Sequence, residues 1–180
     1  DIVSHIHNHG GKAVGISGKD GNLIEGKQLV SKKTDYGYVG EITKINPELI
    51  NILEREGFIP IVSPIAVDVD GKSLNINADI AAAELAISLK AEKLIILTDV
   101  NGVLKNINDK NSYFSKIKIN EIDSLIKKEI ITSGMIPKLD SCKNALKKNV
   151  GKIHIINGKI PHSILLELFT EEGIGTEITL

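Results

Sequence analysis

Lys93-Leu94-Ile95-Ile96-Leu97-Thr98-Asp99-Val100-Asn101-Gly102 is the stretch on which the fold turns. Four consecutive apolar residues, closed by a polar turn with a glycine, are too short for a helix and read as a strand buried on both faces. Such a strand belongs in a mostly parallel sheet covered by helices, so amphipathic helical segments should flank it. Upstream, Asp79 to Leu89 is Ala-rich and places Ala82, Leu85, Ala86 and Leu89 on one face, as a helix packed closely on a sheet would. Downstream, Ile122 to Lys128 and Met135 to Asn149 read as helices, Ile153 to Ile156 as a strand, Ser163 to Phe169 as a helix and Gly175 to Leu180 as a last strand.

The same alternation extends toward the front of the chain. Ala13 to Ser17 reads as a strand, Leu23-Ile24 as a second apolar patch, and Tyr38 to Ile45 as part of a hairpin or small sheet. Asn46-Pro47 supplies a cap and a first-turn proline for a helix reaching about Gly57. Phe58 to Val62 reads as a buried strand, and Val67 to Leu74 as a hairpin turning at Asp70-Gly71. Ile2, Val3 and Ile6 share a helical face that closes at Gly10-Gly11, which looks like the end of a helix and predicts further sequence before Asp1.

Composition narrows the class. The chain has 180 residues, 42% hydrophobic and 25% charged, with a net charge of −1. That length allows one domain, or one domain plus part of another. Three Phe, three Tyr and no Trp, with almost no net charge, speak against a nucleic-acid binder built on aromatic stacking. The single cysteine, Cys142, excludes a disulfide framework and a thiolate metal cluster and fits a reducing, cytoplasmic setting. No apolar run approaches the roughly 20 residues of a membrane span, and no signal peptide is read at the front. His5, His7 and His9 would splay around a helix, so no metal site is expected there.

Charge is uneven within the near-neutral total. Residues 125–160 carry eight lysines against Glu129 and Asp140, a local +6. Such a field attracts a polyanion; a solvated helix face has the same composition. The familiar phosphate loops are missing. Ala13 stands where a Walker loop ahead of Gly18-Lys19 needs glycine, and Ile178 where Gly173-Ile174-Gly175 needs its third.

Three segments carry possible chemistry. In Asn75-Ile76-Asn77-Ala78-Asp79 two amides and a carboxylate gather at a helix start, for capping or for binding. Thr98-Asp99-Val100-Asn101-Gly102-Val103 lies where a buried strand ends, the binding edge of an open parallel sheet, or a plain turn. Gly134-Met135-Ile136-Pro137-Lys138 puts a lysine in the first turns of a helix beside a glycine that permits close backbone approach.

Together with His9 to Leu23, Gly37-Tyr38-Val39-Gly40-Glu41-Ile42 and Gly173-Ile174-Gly175-Thr176, these segments make the chain from Gly10 to Leu180 resemble the N-acetylglutamate kinases of the amino-acid kinase family. The Asn-x-Asn-Ala-Asp segment sets that branch apart from the related carbamate, glutamate, aspartate and nucleotide kinases. The resemblance implies a three-layer α/β/α fold with an open, mainly parallel sheet. It divides the chain into residues 1–90, the remainder of an acetylglutamate-binding lobe, and residues 91–180, a nucleotide-binding lobe. The implied reaction is ATP-dependent phosphorylation of the γ-carboxylate of N-acetyl-L-glutamate in arginine biosynthesis, with Mg²⁺ accompanying ATP, in a cytoplasmic homo-oligomer.

Carried over by position, Asn75 and Asn77 are implied substrate ligands and Asp79 the carboxylate that organises the site's lysines. Lys138 resembles the lysine that stabilises the transferring phosphoryl group. Thr98, Asp99, Val100, Asn101, Gly102, Val103 and Leu104 resemble the nucleotide-binding edge, with the Ile130 to Ser133 loop nearby. A carboxylate acceptor is ionised at neutral pH and needs no general base, so positioning and cations should supply most of the catalysis. The family's opening strand and glycine-rich turn, a second phosphate-contacting lysine and an acetylglutamate-gripping arginine have no counterparts in these residues. The alternatives are a related small-carboxylate kinase and an inactive fragment that binds nucleotide or arginine. Arginine enters because Glu172 to Thr176, with His162 upstream, resembles the arginine-inhibited branch.

Overall fold

The structure, a computed structural model, describes residues 1–31, 33–109, 111–131, 134–170 and 173–180. The chain divides into two compact units, Asp1–Ala81 and Ala82–Leu180, where the sequence reading set the division at 90/91.

In the first unit, α1 (Ile2–Asn8) leads into β1 (Ala13–Ser17), then β2 (Ile24–Gln28), β3 (Gly40–Ile45), α2 (Glu48–Arg55), β4 (Ile59–Ser63), β5 (Ile65–Val67) and β6 (Ser73–Asn75). The helix α1 stops where Gly10 takes φ +82° and the Gly11 N–H bonds back to the Ile6 carbonyl at 3.0 Å. The helix α2 starts one residue later than its sequence predicts, with Pro47 at the flanking position, and Asn46 Oδ1 accepts the Glu48 N–H at 3.2 Å from just outside it. The hairpin at Asp70-Gly71 forms because Asp68 Oδ1 accepts the N–H groups of Asp70 and Lys72, at 2.9 and 2.8 Å, while Gly71 supplies φ +79°.

Strands β1 and β4 pair in parallel, from Ala13 opposite Ile59 to Ser17 opposite Ser63. The other four strands form a sheet in the order β3-β2-β5-β6, antiparallel except for the short β2–β5 pairing. Leu23, Ile24, Ala66, Leu74 and Ile76, each at most 2% exposed, make the core of this unit. One expectation fails here. Phe58 to Val62, read as a buried strand, leaves Phe58 36% and Ile59 48% exposed. The apolar run is there, but β1 is the one strand it pairs with among the described residues, so it lacks the two-sided cover of a central parallel strand.

The second unit takes in most of α3 (Ala78–Ser88), followed by β7 (Lys93–Thr98), β8 (Lys116–Lys118), α4 (Ile122–Lys127), α5 (Ile136–Lys147), β9 (Lys152–Asn157), α6 (Ser163–Phe169) and β10 (Thr176–Thr179). Its sheet runs β7-β9-β10-β8, with β7–β9 and β10–β8 parallel and β9–β10 antiparallel. Leu139, Cys142 and Leu146 of α5, at helical spacing and fully buried, pack with Ala83 and Ala86 of α3 and with Ile96, Ile153, Ile155 and Ile178 of the sheet. Each such Leu or Ile stabilises the fold by about 1.5–3 kcal/mol relative to exposure. The parallel register runs from Lys93 opposite Lys152 to Thr98 opposite Asn157, so β7 and β9 end side by side and their loops leave from the same edge. That edge positions the site.

Candidate active site

Where β7 ends, residues 98–104 form one wall of a cleft of about 280 Å³. Thr98, Asp99, Val100, Gly102, Val103 and Leu104 line it together with Ile107, and Ile130, Ile131, Gly134, Met135 and Lys138 face them from the segment leading into α5. Of the seven residues expected at a nucleotide edge, six therefore line one cavity, and Lys138 lines it too. The seventh, Asn101, turns its amide to the neighbouring strand end: Asn157 Nδ2 donates to Asn101 Oδ1 at 2.8 Å. In the Ile130 to Ser133 loop, Ile130 and Ile131 line the cleft, while Thr132 and Ser133 lie outside the described residues.

The wall is stitched to the end of β9 at one further point. The Gly158 N–H donates to the Thr98 carbonyl at 2.8 Å, and the turn after β9 is itself closed by Asn157 Oδ1, which accepts the Lys159 N–H at 2.9 Å. Lys159 Nζ also stands 3.9 Å from Asp99 Oδ2, but both side chains are largely exposed and so contribute little. Asn157 gave no signal in the sequence. It closes an apolar strand as an ordinary turn residue, and its role appears only once β7 and β9 are known to be neighbours.

Lys138 is half-buried in the first turn of α5. Pro137 fits this turn, where a backbone N–H is not needed for the helix ladder, and fully buried Leu139 fixes the rotation of the helix beneath it. The start of a helix of this length carries unsatisfied N–H groups and a partial positive charge, so an anion is favoured there and the lysine adds a full charge. Val100, Leu104, Ile107, Ile131 and Met135 supply apolar walls. A flat ring between them and an anionic tail toward Lys138 is the chemistry the cleft can accommodate.

The remaining expected site residues belong to the first unit, at the junction of β6 and α3. The Asn75 N–H donates to the Tyr38 carbonyl at 2.7 Å, and its side chain is exposed. Asn77 caps the helix, its Oδ1 accepting the N–H groups of Asp79 and Ile80 at 2.9 and 3.2 Å. Half-buried Asp79 sits in the first turn of α3. So Asn75, Asn77 and Asp79 are brought together by short connection, and Asn77 has a capping task of its own.

The second unit holds another, more polar cavity of about 310 Å³, bordered by Lys93, Lys116, Lys152, His154, Glu167, Glu177 and the glycines 173 and 175. Lys116 Nζ lies 2.7 Å from Glu177 Oε1 and holds that carboxyl below its ordinary range. Buried His154 pairs through Nδ1 with Glu167, whose other oxygen accepts the Ile174 N–H at 2.7 Å. Neither buried group was marked by the sequence, where His154 looks like one polar position in an apolar strand. Glu171 and Glu172 lie outside the described residues.

The model of the amino acid kinase family matches residues 1–157. The chain belongs to the amino acid kinase family. Over 99% of its length this family member is 50% identical to an acetylglutamate kinase of Methanococcus aeolicus and covers 64% of it. It is 49% identical to that of Methanococcus vannielii, covering 63%. Among solved structures it is similar to N-acetylglutamate synthase from Neisseria gonorrhoeae complexed with coenzyme A and N-acetyl-glutamate, with a TM-score of 0.86, 28% identity, and coverage of 98% of this chain and 40% of that one. The chain thus spans a little under two thirds of the curated relatives it matches. The α/β class with its mainly parallel pairing in the second unit is the class expected from the sequence. Among the described residues no helix is long and apolar enough to cross a membrane, and no three His, Cys, Asp or Glu side chains cluster as metal ligands.

Proposed function

We propose that the chain is the larger part of an acetylglutamate kinase and that the cleft of its second unit binds ATP. The observation that carries this reading is the convergence of Thr98, Asp99, Val100, Gly102, Val103 and Leu104 with Lys138 on one cavity, in a chain half identical to acetylglutamate kinases. In the reaction a γ-carboxylate oxygen of N-acetyl-L-glutamate forms a bond to the γ-phosphorus of ATP, the bond from that phosphorus to the β-phosphate oxygen breaks, and ADP leaves. The chain contributes no base, because the acceptor is already ionised. The cleft's apolar walls seat the adenine, the glycine at 102 lets the backbone come close, and the Lys138 ammonium meets charge building on the transferring group. Asn75 serves the acetylamino acid, and Asp79 orders lysine ammonium groups through charge-assisted hydrogen bonds. Mg²⁺ suits this site as a companion of ATP, since it is usually held by phosphate oxygens, waters and one or two carboxylates rather than by a protein cage. Asp99 is the carboxylate on the cleft wall.

The polar cavity supports a second role, binding of arginine as an inhibitor. Gly173 and Gly175 of the segment that resembles the arginine-inhibited branch border it, alongside carboxylates and lysines that complement the two ends of an amino acid. Arginine then raises the melting temperature. The kinase reading is tested by trapping acyl phosphate with hydroxylamine across a panel of small carboxylates. The expected result is hydroxamate from N-acetyl-L-glutamate above all others. Preference for a different carboxylate refutes the substrate assignment. The panel is run on this chain and on one completed to the length of its relatives, a cytoplasmic homo-oligomer on this reading.

A further inference from the structure

We propose that Thr176 is a positioning residue of the nucleotide cleft: its hydroxyl, closed into a buried hydrogen-bond ring with Val103 and Phe114, sets the Gly102–Val103 turn against which the ligand lies. The inference rests on the nucleotide reading of that cleft. Thr176 is a buried polar side chain that the reaction chemistry leaves unused. Thr176 is fully buried at the first position of β10, between β9 and β8 in the middle of its sheet. A threonine hydroxyl has one proton to give and lone pairs to receive. Here it gives the proton to the Phe114 carbonyl at 2.6 Å and receives the Val103 N–H at 2.9 Å. The Phe114 N–H returns to the Val103 carbonyl at 2.9 Å. Three hydrogen bonds thus close on themselves, and both backbone groups of Val103 are used.

The neighbouring residue shows how tight this fit is. Gly102 has φ +131°, and a Cβ built on it would stand 2.5 Å from Thr176 Oγ1 and 3.2 Å from the Thr176 nitrogen. Any side chain at 102 would collide with the hydroxyl, so glycine and threonine are matched to each other across the turn. Thr176 is itself held firmly. It lies opposite Ile155 in the antiparallel pairing with β9, and the chain just before it is anchored by the Ile174 N–H on Glu167. The ring therefore transfers the rigidity of the sheet centre to the wall formed by Gly102, Val103 and Leu104. Preorganising the wall reduces what must be ordered on binding, which is how a residue out of reach of the ligand raises affinity.

The test uses the whole chain and Mg·ADP as probe, with Thr176→Val, which keeps the shape and removes the hydroxyl, and Thr176→Ser, which keeps the hydroxyl. Without the hydroxyl the Val103 N–H and the Phe114 carbonyl are left buried and unpaired, and ADP affinity should fall by about tenfold. Thr176→Ser should bind within about twofold of wild type. A lowered melting temperature alone does not distinguish a structural role, so the deciding readout is the dissociation constant well below the transition of each variant. A folded Thr176→Val that binds ADP like wild type overturns the proposal, as does a Thr176→Ser as weak as the valine. Should the valine variant fail to fold, hydrogen exchange of the wild-type Val103 amide decides. Slow exchange, slowed further by ADP, supports the ring, and free exchange or indifference to ADP overturns it. Wild type that fails to bind ADP overturns the nucleotide reading and the role of Thr176 with it, whereas normal wild-type binding with an indifferent valine variant removes the role of Thr176 alone.

Discussion

Replacing Gly102 by alanine asks the most of the described geometry, because one methyl group meets two separate obstacles. The backbone at φ +131° is a region that side-chain-bearing residues rarely enter, a strain on the order of 1–3 kcal/mol. The methyl would also stand 2.5 Å from the Thr176 hydroxyl, which cannot swing aside without breaking its bonds to Val103 and Phe114. Overpacking of this kind costs a further 1–3 kcal/mol, roughly. Against these, the alanine restricts the unfolded chain and returns about 0.4–1 kcal/mol. The balance is a destabilisation of about 3 kcal/mol. Gly37 provides the control, with φ +60° but open space around the position of its Cβ, so alanine there should cost only about 1–2 kcal/mol. Urea unfolding of the two variants separates conformational strain from collision, and ADP titration of the folded Gly102→Ala protein should show weakened binding. A Gly102→Ala variant as stable as Gly37→Ala, with wild-type ADP affinity, would refute both the packing of the turn and its place in the cleft.

Lys138→Ala should lower kcat in the hydroxamate assay by on the order of 10²–10³ while leaving the melting temperature nearly unchanged, since the lysine is half-buried and its task is to meet developing charge. Next to it, Leu139→Ala should do the opposite, reducing unfolding free energy by about 2–5 kcal/mol through the cavity left by a fully buried side chain. The carboxyl of Glu177, held below its ordinary value of 4.5 chiefly by its hydrogen bond with Lys116, binds protons more readily in the unfolded chain. Its contribution to stability is therefore complete above about pH 4.5 and is lost as pH falls from there through the lower folded value. Melting temperatures measured across this range should fall less steeply for Lys116→Met than for wild type, and an unchanged slope would remove the pairing from the account.

Much of the second unit could be read from residue pattern alone, because its elements are long and their periodicity is strong. Leu94 to Leu97 announce a strand, although β7 lies at the edge of its sheet and leaves Leu97 50% exposed rather than covered on both faces, and Leu139, Cys142 and Leu146 announce a helix face. The candidate edge at residues 98–104 followed from the same reasoning, since polar residues directly after a buried strand fall at its carboxyl end. Pairing beyond the local hairpin at Asp70-Gly71 was not legible. Nothing in Lys116-Ile117-Lys118 marks a strand until it is seen beside β10, and Phe58 to Val62 looks buried until its pairing with β1 is known. The supporting residues of the site were hidden for the same reason. Asn157 and Thr176 lie 56 and 73 residues from the partners they hold, and their types are common in turns and strands anywhere. His154 and Glu167 are joined only because α6 folds back on β9.

The most direct measurement is a titration of the chain with Mg·ADP followed at every backbone amide by NMR. Nucleotide bound in the cleft should give saturable shifts concentrated at residues 98–104, 130–131 and 134–138, with the Lys138→Ala protein responding more weakly. Shifts concentrated instead around Lys93, Lys116 and Lys152, or none at saturating nucleotide, would contradict it.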